Sequence, residues 1–428
     1  MGSKTKFSID LGLDHVKVKR VERNGDGTYH IFVSCSATST KCYKCGKIIH
    51  KFHGQCKETI IEHMPIWDDK VFIHVQWPRF ICTDCDNTPT TSFHPDWLNQ
   101  TGDMTKLFEK FCLRALINST IKDTAIKLKT TEEKIQGVVD RNVSTEIVWD
   151  EIMPTRIGID EVALRKGHDH YLTIISDISK KGKSNILAVI DGRKREDVIP
   201  ILRKIPRHIF LNLESICVDM GASFLSAVKE VVNDIKIFER IVTVDRFHVA
   251  KLLGEAIDDE RKFISRELKK KYADDDATLE SIKETMWPFR HHTDDITNEQ
   301  HEKLDSLFSL SPYLQECYEL KEELYLIFEG LYSKDEARMQ IQNWCNRALE
   351  CQRDNESPFS SFVATYNRFE ENILNYFETR ASSGPVEGLN NKIKTIKRRG
   401  FGFSNVIQFA QRLFLDINLK WELLPNAY

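Results

Sequence analysis

No stretch of this chain approaches the roughly 18 to 20 apolar residues that a membrane span needs, and its first residues show no basic region followed by an apolar run. Those absences predict a cytoplasmic protein with no membrane partner. Also missing is the low-hydrophobicity, high-net-charge balance of a disordered chain, since 41% of residues are hydrophobic, 29% are charged and the formal net charge is -3. A length of 428 residues exceeds the size at which one core keeps growing, so several domains are expected. The small net charge, taken alone, argues against a nucleic-acid partner. The average conceals one segment in which acids are almost absent: from Val386 to Arg412, Lys392, Lys394, Lys397, Arg398, Arg399 and Arg412 face a single acid, Glu387. A local excess of this kind, rather than the total, attracts phosphates.

The same segment, GPVEGLNNKIKTIKRRG, reads as a helix with Gly384 as its cap and Pro385 at the first helical position, where a missing N–H costs no hydrogen bond. Glu387, Asn391, Lys394 and Arg398 then form one stripe at i, i+4, i+7 and i+11. A carboxylate leading a row of cations suits a metal ion held beside a polyanionic backbone, and it directs attention to upstream acids. Asp160 closes the apolar run in TRIGIDEVAL and Asp219 the run in LESICVDMGAS, both of which read as buried strands. Functional residues gather at the carboxyl ends of strands in open α/β sheets. Hard divalent ions such as Mg(II) or Mn(II) take oxygen ligands, so Asp160, Asp219 and Glu387 are the candidate magnesium ligands and catalytic acids. Strand-end aspartates also serve as caps and turn formers.

Eleven cysteines without a secretion signal point to thiols or metal ligands rather than disulfides. Cys42 and Cys45 in CYKCG, and Cys82 and Cys85 in CTDC, form two knuckles that complete a four-thiolate zinc shell. The residues between the knuckles read largely as strands. Cys35, Cys56, His50, His53 and His63 lie close enough in sequence to substitute as ligands, while Cys112, Cys217, Cys317, Cys345 and Cys351 sit in apolar contexts and carry no assigned chemistry. From Thr105 to Ser144 three short helical runs follow, the third with Thr130 and Glu133 as a capping-box signature. They match a helix-turn-helix whose last helix enters a major groove.

Beyond Pro154 the order reads β-β-β-α-β-α-β, as in a ribonuclease-H-like sheet where the first and fourth strands are neighbours and would bring Asp160 and Asp219 together. Glu161 points to the opposite face. Residues 255–377 carry helical stripes such as Leu304, Leu307, Phe308, Leu314, Tyr318, Leu324, Tyr325 and Phe328, which predict an all-helical insertion with a packed core. Trp287, Trp344, Arg290 and His291 could reach DNA from it. In VDRFHVAK, Asp245 either approaches the metals or caps the next helix, and His248 either orients DNA or water or packs structurally.

GIDE, VDMG, VDRFHVAK and SGPVEGLNNKIKTIKRRGFGF, behind a double-CxxC finger and a helix-turn-helix, resemble the transposases of the bacterial insertion-sequence family L-three over nearly the whole chain. The resemblance matches Asp160, Asp219 and Glu387 to the family's DDE acids and the four paired cysteines to its zinc ligands. The expected fold class is α+β multidomain: a zinc-ribbon-like finger (1–100), a helix-turn-helix (101–150), a ribonuclease-H-like mixed sheet (151–254), an all-helical insertion (255–377) and a second catalytic part (378–428). The implied activity is metal-dependent cleavage and strand transfer, with double-stranded DNA as partner: terminal inverted repeats read by the finger and helix-turn-helix, and target DNA. Lys392, Lys394, Lys397, Arg398 and Arg399 are the candidate DNA contacts. A homodimer or larger assembly is expected on DNA, with the protein nucleoid-associated when bound. The rival readings are a DNA-binding regulator without nuclease activity and a nuclease without strand transfer.

Overall fold

The computed structural model describes residues 11–164, 170–180, 183–220, 222–235, 241–381 and 384–424. Two compact units emerge, one of residues 1–144 with 418–428 and one of residues 145–417. Among the described residues no helix is long and apolar enough to cross a membrane.

In the first unit, β1 (Val16–Arg23), β2 (Tyr29–Cys35), β5 (Phe52–Ile66), β6 (Asp69–Ile81) and β7 (Thr90–Ser92) form a sheet of order β1-β2-β6-β5 with β7 also on β6. The long β5–β6 hairpin fills the space between the cysteine pairs, and β3 (Thr40–Lys41) with β4 (Ile48–Ile49) makes a separate two-stranded piece. Alternation along β6 buries Val71, Ile73, Val75 and Trp77, which pack with Ile31, Val33, Ile61 and Leu98. Three helices follow: α1 (Lys106–Leu116), α2 (Ile121–Lys127) and α3 (Glu132–Asn142), each capped by a threonine. The cap of α3 is Thr131, which accepts from Lys134 N, and not Thr130, so the helix begins one residue later than its capping-box spacing predicts. Glu109 of α1 is fully buried, and its carboxylate accepts from Arg141 and Asn142 of α3 and from Asn99. A charge so deeply buried holds the helices together only while those partners stay in place.

The second unit is built on β8 (Arg156–Ala163), β9 (Tyr171–Lys180), β10 (Lys183–Asp191), β11 (Ser215–Val218) and β12 (Val242–Val244), in the order β10-β9-β8-β11-β12. β8, β9 and β10 pair antiparallel, and β11 pairs parallel with both β8 and β12. The first and fourth strands of this sheet are therefore neighbours. Helices α4 (Arg195–Leu202), α5 (Arg207–Asn212) and α6 (Ala222–Asp234) connect the strands; α5, opened by Pro206, is a short element that the sequence pattern did not signal.

From β12 the chain enters α7 (Arg246–Lys271), then α8 (Asp276–Ser281), α9 (Met286–Arg290), α10 (Asn298–Leu310), α11 (Pro312–Glu329), α12 (Lys334–Glu350) and α13 (Ser360–Thr379). Leu304, Leu307, Leu314, Tyr318, Leu324 and Phe328 are buried, and their cluster runs without a break into the strand residues Ile157, Ile159, Val218 and Val244. Sheet and helices thus share one core. The outer edge of β12 is closed by α13, where Asn372 and Asn375 both donate side-chain N–H groups to Val242 O, at 3.1 and 2.9 Å. Such a cover removes an unpaired strand edge that would otherwise invite pairing with another chain. Trp344 lies in this core with its indole N–H on Leu320 O and does not reach the surface, whereas Trp287 is exposed and Arg290 is held by Asp258. The final helices of the unit are α14 (Gly384–Arg399) and α15 (Val406–Leu413).

Candidate active site and metal centre

Parallel register decides which acids meet. Ile159 of β8, Val218 of β11 and Val244 of β12 lie side by side, so Asp160, Asp219 and Asp245 are the next residues on three adjacent strands. In-register residues of parallel strands share a face. Asp160 is close enough to Asp219 for their charges to interact: burial raises the Asp160 carboxyl above its ordinary pKa and the Asp219 charge adds to that. Asp160 Oδ1 also accepts from Glu161 N at 2.7 Å. Glu161 itself faces away and meets Arg193 at 3.4 Å, as strand alternation predicts.

Gly158 is what lets α14 reach this row. A Cβ at that position would stand 2.4 Å from Val386 Cγ2, so the helix rests directly on the strand backbone. Four residues on, Asn390 Nδ2 donates to Asp160 Oδ2 at 2.5 Å, and Lys397 Nζ donates to Ala163 O at 2.7 Å. Four helical residues rise about 6 Å and two strand residues about 6.6 Å, so α14 runs beside β8 nearly in step. We expect Gly158→Ala to push the helix off the strand, with a loss of about 1–3 kcal/mol in denaturant unfolding. Adding Val386→Ala should restore most of it; equal melts for the wild type and the single variant would show that the close approach is not needed.

Glu387 sits in the first turn of α14 and is exposed, with Asn391, Lys394 and Arg398 exposed beyond it. The stripe read from the sequence is therefore the solvent face of the helix. Among the described residues, Glu387 does not close with Asp160 and Asp219 into a metal-sized group; the side chain facing Asp160 is Asn390, only 6% exposed, whose Oδ1 has no partner. Sequence reasoning missed Asn390, although its place one turn after Glu387 was a usable signal. An orphaned buried oxygen on the amide that contacts Asp160, with Asp219 close enough to act on the same carboxyl, is a donor set that fits a hard divalent cation.

Asp245 is buried and caps α7 by accepting from Phe247 N, which realises the capping role left open by the sequence. His248 stands 3.9 Å from Asp245 and near enough to Asp160 to favour its ionised form. The basic segment is less available than its composition indicates. Arg412 is buried on Asp416, Arg399 joins the same carboxylate at 3.5 Å, and Lys397 is committed to Ala163 O. Asp416 lies just outside the basic segment Val386–Arg412, which is why Arg399 and Arg412 read as outward cations. Lys392, Lys394 and Arg398 remain exposed.

In the first unit, Cys42, Cys45, Cys82 and Cys85 place their sulfurs within 4.8 Å of one another, with Cys45 and Cys82 3.9 Å apart. Four sulfurs about 2.3 Å from a central zinc would be about 3.8 Å apart, so the set is compatible with a structural zinc site. Each knuckle is folded by its own backbone: Gly46 N bonds to Cys42 O with Gly46 at φ +74°, and Thr88 N bonds to Cys85 O. Of the possible substitutes, His63 is buried on Thr105 Oγ1, where burial lowers its pKa to about 4, His50 and His53 are exposed, and Cys35 and Cys56 lie against the sheet core. None of them joins the sulfur cluster.

Comparison with known proteins agrees over most of the length. The family model for DDE transposases of the ISL3 group, described as "Transposase", matches residues 157–413. The transposase for insertion sequence element IS1001 of Bordetella parapertussis is 24% identical over 403 residues, covering 92% of this chain and 94% of its own. The transposase for IS1557 of Mycobacterium tuberculosis is 24% identical over 397 residues, covering 86% of this chain and 83% of its own. Among solved structures, the strand transfer complex of the Drosophila P element transposase aligns with a TM-score of 0.40 and 13% identity, covering 74% of this chain and 91% of that one. With more than half of its residues matched by that family model, the chain belongs to the ISL3 family of DDE transposases.

Proposed function

We propose that the protein binds the terminal inverted repeats of an insertion sequence, cuts a DNA strand there and joins the freed end to target DNA, with Asp160, Asp219 and Glu387 as catalytic acids. The observation that carries this reading is the alignment of Asp160 with Asp219 at neighbouring parallel strand ends, under the helix that bears Glu387. The strand order and the mixed pairing support reading the sheet as ribonuclease-H-like.

Asp160 and Asp219, beside the unpartnered Oδ1 of Asn390, would hold Mg(II) or Mn(II), with the exposed Glu387 turning in from the first turn of α14 to complete the set; the ion when bound stabilises negative charge on the attacking and leaving oxygens. The chain's own contribution is positional. Asn390 fixes the Asp160 carboxylate, and Asp245 locks the first turn of α7 so that His248 stays beside the acids, able to hold a water or a phosphate oxygen. Lys394 and Arg398, with Lys392, offer charge to phosphates along the open face of α14, while Lys397 and Arg399 hold the helix in place. Water oxygen attacks phosphorus, the P–O3' bond breaks and the 3' oxygen departs as a hydroxyl with the proton that the water gives up; that hydroxyl then attacks a phosphorus of target DNA, whose own 3' oxygen departs and takes the proton. Residues 1–100, with zinc on the four cysteines, and residues 101–150 would read the repeats, and a dimer or larger assembly would bring two ends together.

The direct test is incubation of the purified protein with labelled end DNA and Mg(II) or Mn(II). A nicked strand with a 3'-hydroxyl together with joined products is the expected result. A shifted fragment that is never nicked would instead identify a DNA-binding regulator, and nicking without joining would identify a nuclease.

A further inference from the structure

The three-helix segment offers two candidate faces to DNA, and the reading of residues 101–150 as a helix-turn-helix favours the third helix. Its side chains argue otherwise. α3 carries two cations, and both are engaged within the unit: Lys134 with Asp103 at 2.8 Å and Glu62 at 3.5 Å, and Arg141 with the buried Glu109 at 2.6 Å. Gln136 donates to Asp140, and Asn142 to Glu109 and to Val138 O. What α3 presents outward is Glu132, Glu133 and Asp140, three carboxylates. A phosphate backbone would meet net repulsion there.

On α1 the balance is reversed. Lys106, Lys110 and Arg114 are all exposed and spaced at i, i+4 and i+8, a row about 12 Å long on one face. None of the three makes an ion pair among the described residues. The one acid of the helix, Glu109, points inward and is neutralised by Arg141, so the outward face has no counter-charge of its own. Like charges at i, i+4 destabilise a helix, and a row of three is a cost that a polyanion along this face would reverse. Leu107, half exposed, flanks the row, and Lys122 and Lys127 of α2 are exposed as well.

We propose that the outward face of α1, through Lys106, Lys110 and Arg114, grips the sugar-phosphate backbone of duplex DNA, and that α3 does not lie against phosphates. The proposal rests on the reading that the chain binds end DNA and identifies the surface by which this segment holds the duplex backbone, apart from any contact that reads bases. Contacts of this type position a protein on a duplex without reading bases, so the face acts on end DNA and random DNA alike.

The test uses the full chain, measuring affinity for a labelled end fragment and for a random duplex over a series of salt concentrations. Lys106→Gln/Lys110→Gln/Arg114→Gln should bind both duplexes about 10- to 100-fold more weakly and lower the slope of log affinity against log salt by about 2 to 3, near 0.9 for each lost phosphate contact. Glu132→Gln/Glu133→Gln should bind no more weakly than the wild type. All five side chains are exposed, so unchanged far-ultraviolet circular dichroism and zinc content should accompany both variants. A triple variant with the wild-type slope would overturn the proposal alone. If the wild-type protein bound neither duplex, the DNA-binding reading would fall and this proposal with it.

Discussion

Asp160→Asn is expected to lower strand cleavage by about two to three orders of magnitude, the scale on which removal of one transition-state-stabilising group falls. Binding of end DNA should persist, because Asp160 lies in the second unit while the proposed end-reading residues lie in the first. The substitution is nearly isosteric, and it also removes the repulsion between Asp160 and Asp219, so stability should not fall. Glu387→Gln should behave in the same way. Since Glu387 is exposed and makes no hydrogen bond or ion pair among the described residues, loss of cutting with folding and DNA binding unchanged would be chemical rather than structural. Gel shift and a denaturing gel on the same samples separate binding from cutting, and undiminished cutting by either variant removes that residue from the catalytic set. Asn390→Ala tests orientation instead. Loss of a group that orients a ligand costs about 10- to 100-fold, so its effect should be distinctly smaller.

The second large effect belongs to the cysteine cluster. One zinc per chain is expected by elemental analysis, and Cys82→Ser should abolish its tight retention. Structural zinc in small fingers contributes about 10–16 kcal/mol of binding free energy at neutral pH, and much of that is folding free energy where the site is not preformed. Here the loss should be local. Cys42, Ile49, Phe80 and Cys82 form a small cluster of their own, whereas Ile31, Ile61, Val71, Ile73 and Val75 form a separate core beneath the sheet. Hydrogen exchange should therefore quicken around residues 40–50 and 82–92 while the β5–β6 core stays protected. Protection lost across the whole sheet would show that the metal holds more than its two knuckles, and a wild-type protein free of zinc would end the assignment.

Much of this architecture is written in local pattern. Asp160 and Asp219 stand out because short runs of Val and Ile end on them, and the two CxxC pairs carry their geometry in their spacing. Asn390 was hidden for a different reason. Which face of α14 meets β8 depends on a notch at Gly158, and a glycine inside a strand pattern does not say what will fill it. The cations of α14 and α15 were overcounted because Asp416 comes four residues after Arg412 and draws both Arg412 and Arg399 inward. The cations of the third helix of the first unit are likewise engaged from outside it, since Glu62 and Glu109 lie in a strand and in another helix. In each case a partner outside the stretch that carries the signal decides its meaning.

The hydrogen bond from Asn390 to Asp160 joins residues 230 positions apart, with the whole run of helices α7 to α13 between β12 and α14. A ribosome adding about 5–20 residues per second needs roughly 10 to 30 s to travel from β11 to α14. For that interval a nascent chain has both strand-end aspartates but not the helix that bears Glu387 and Asn390. If residues 1–144 already recognise DNA by then, without residues 418–428 of the same unit, polypeptides interrupted before α14 would occupy element ends without cutting them. Incomplete translation would in that way restrain the mobility of the element that encodes it.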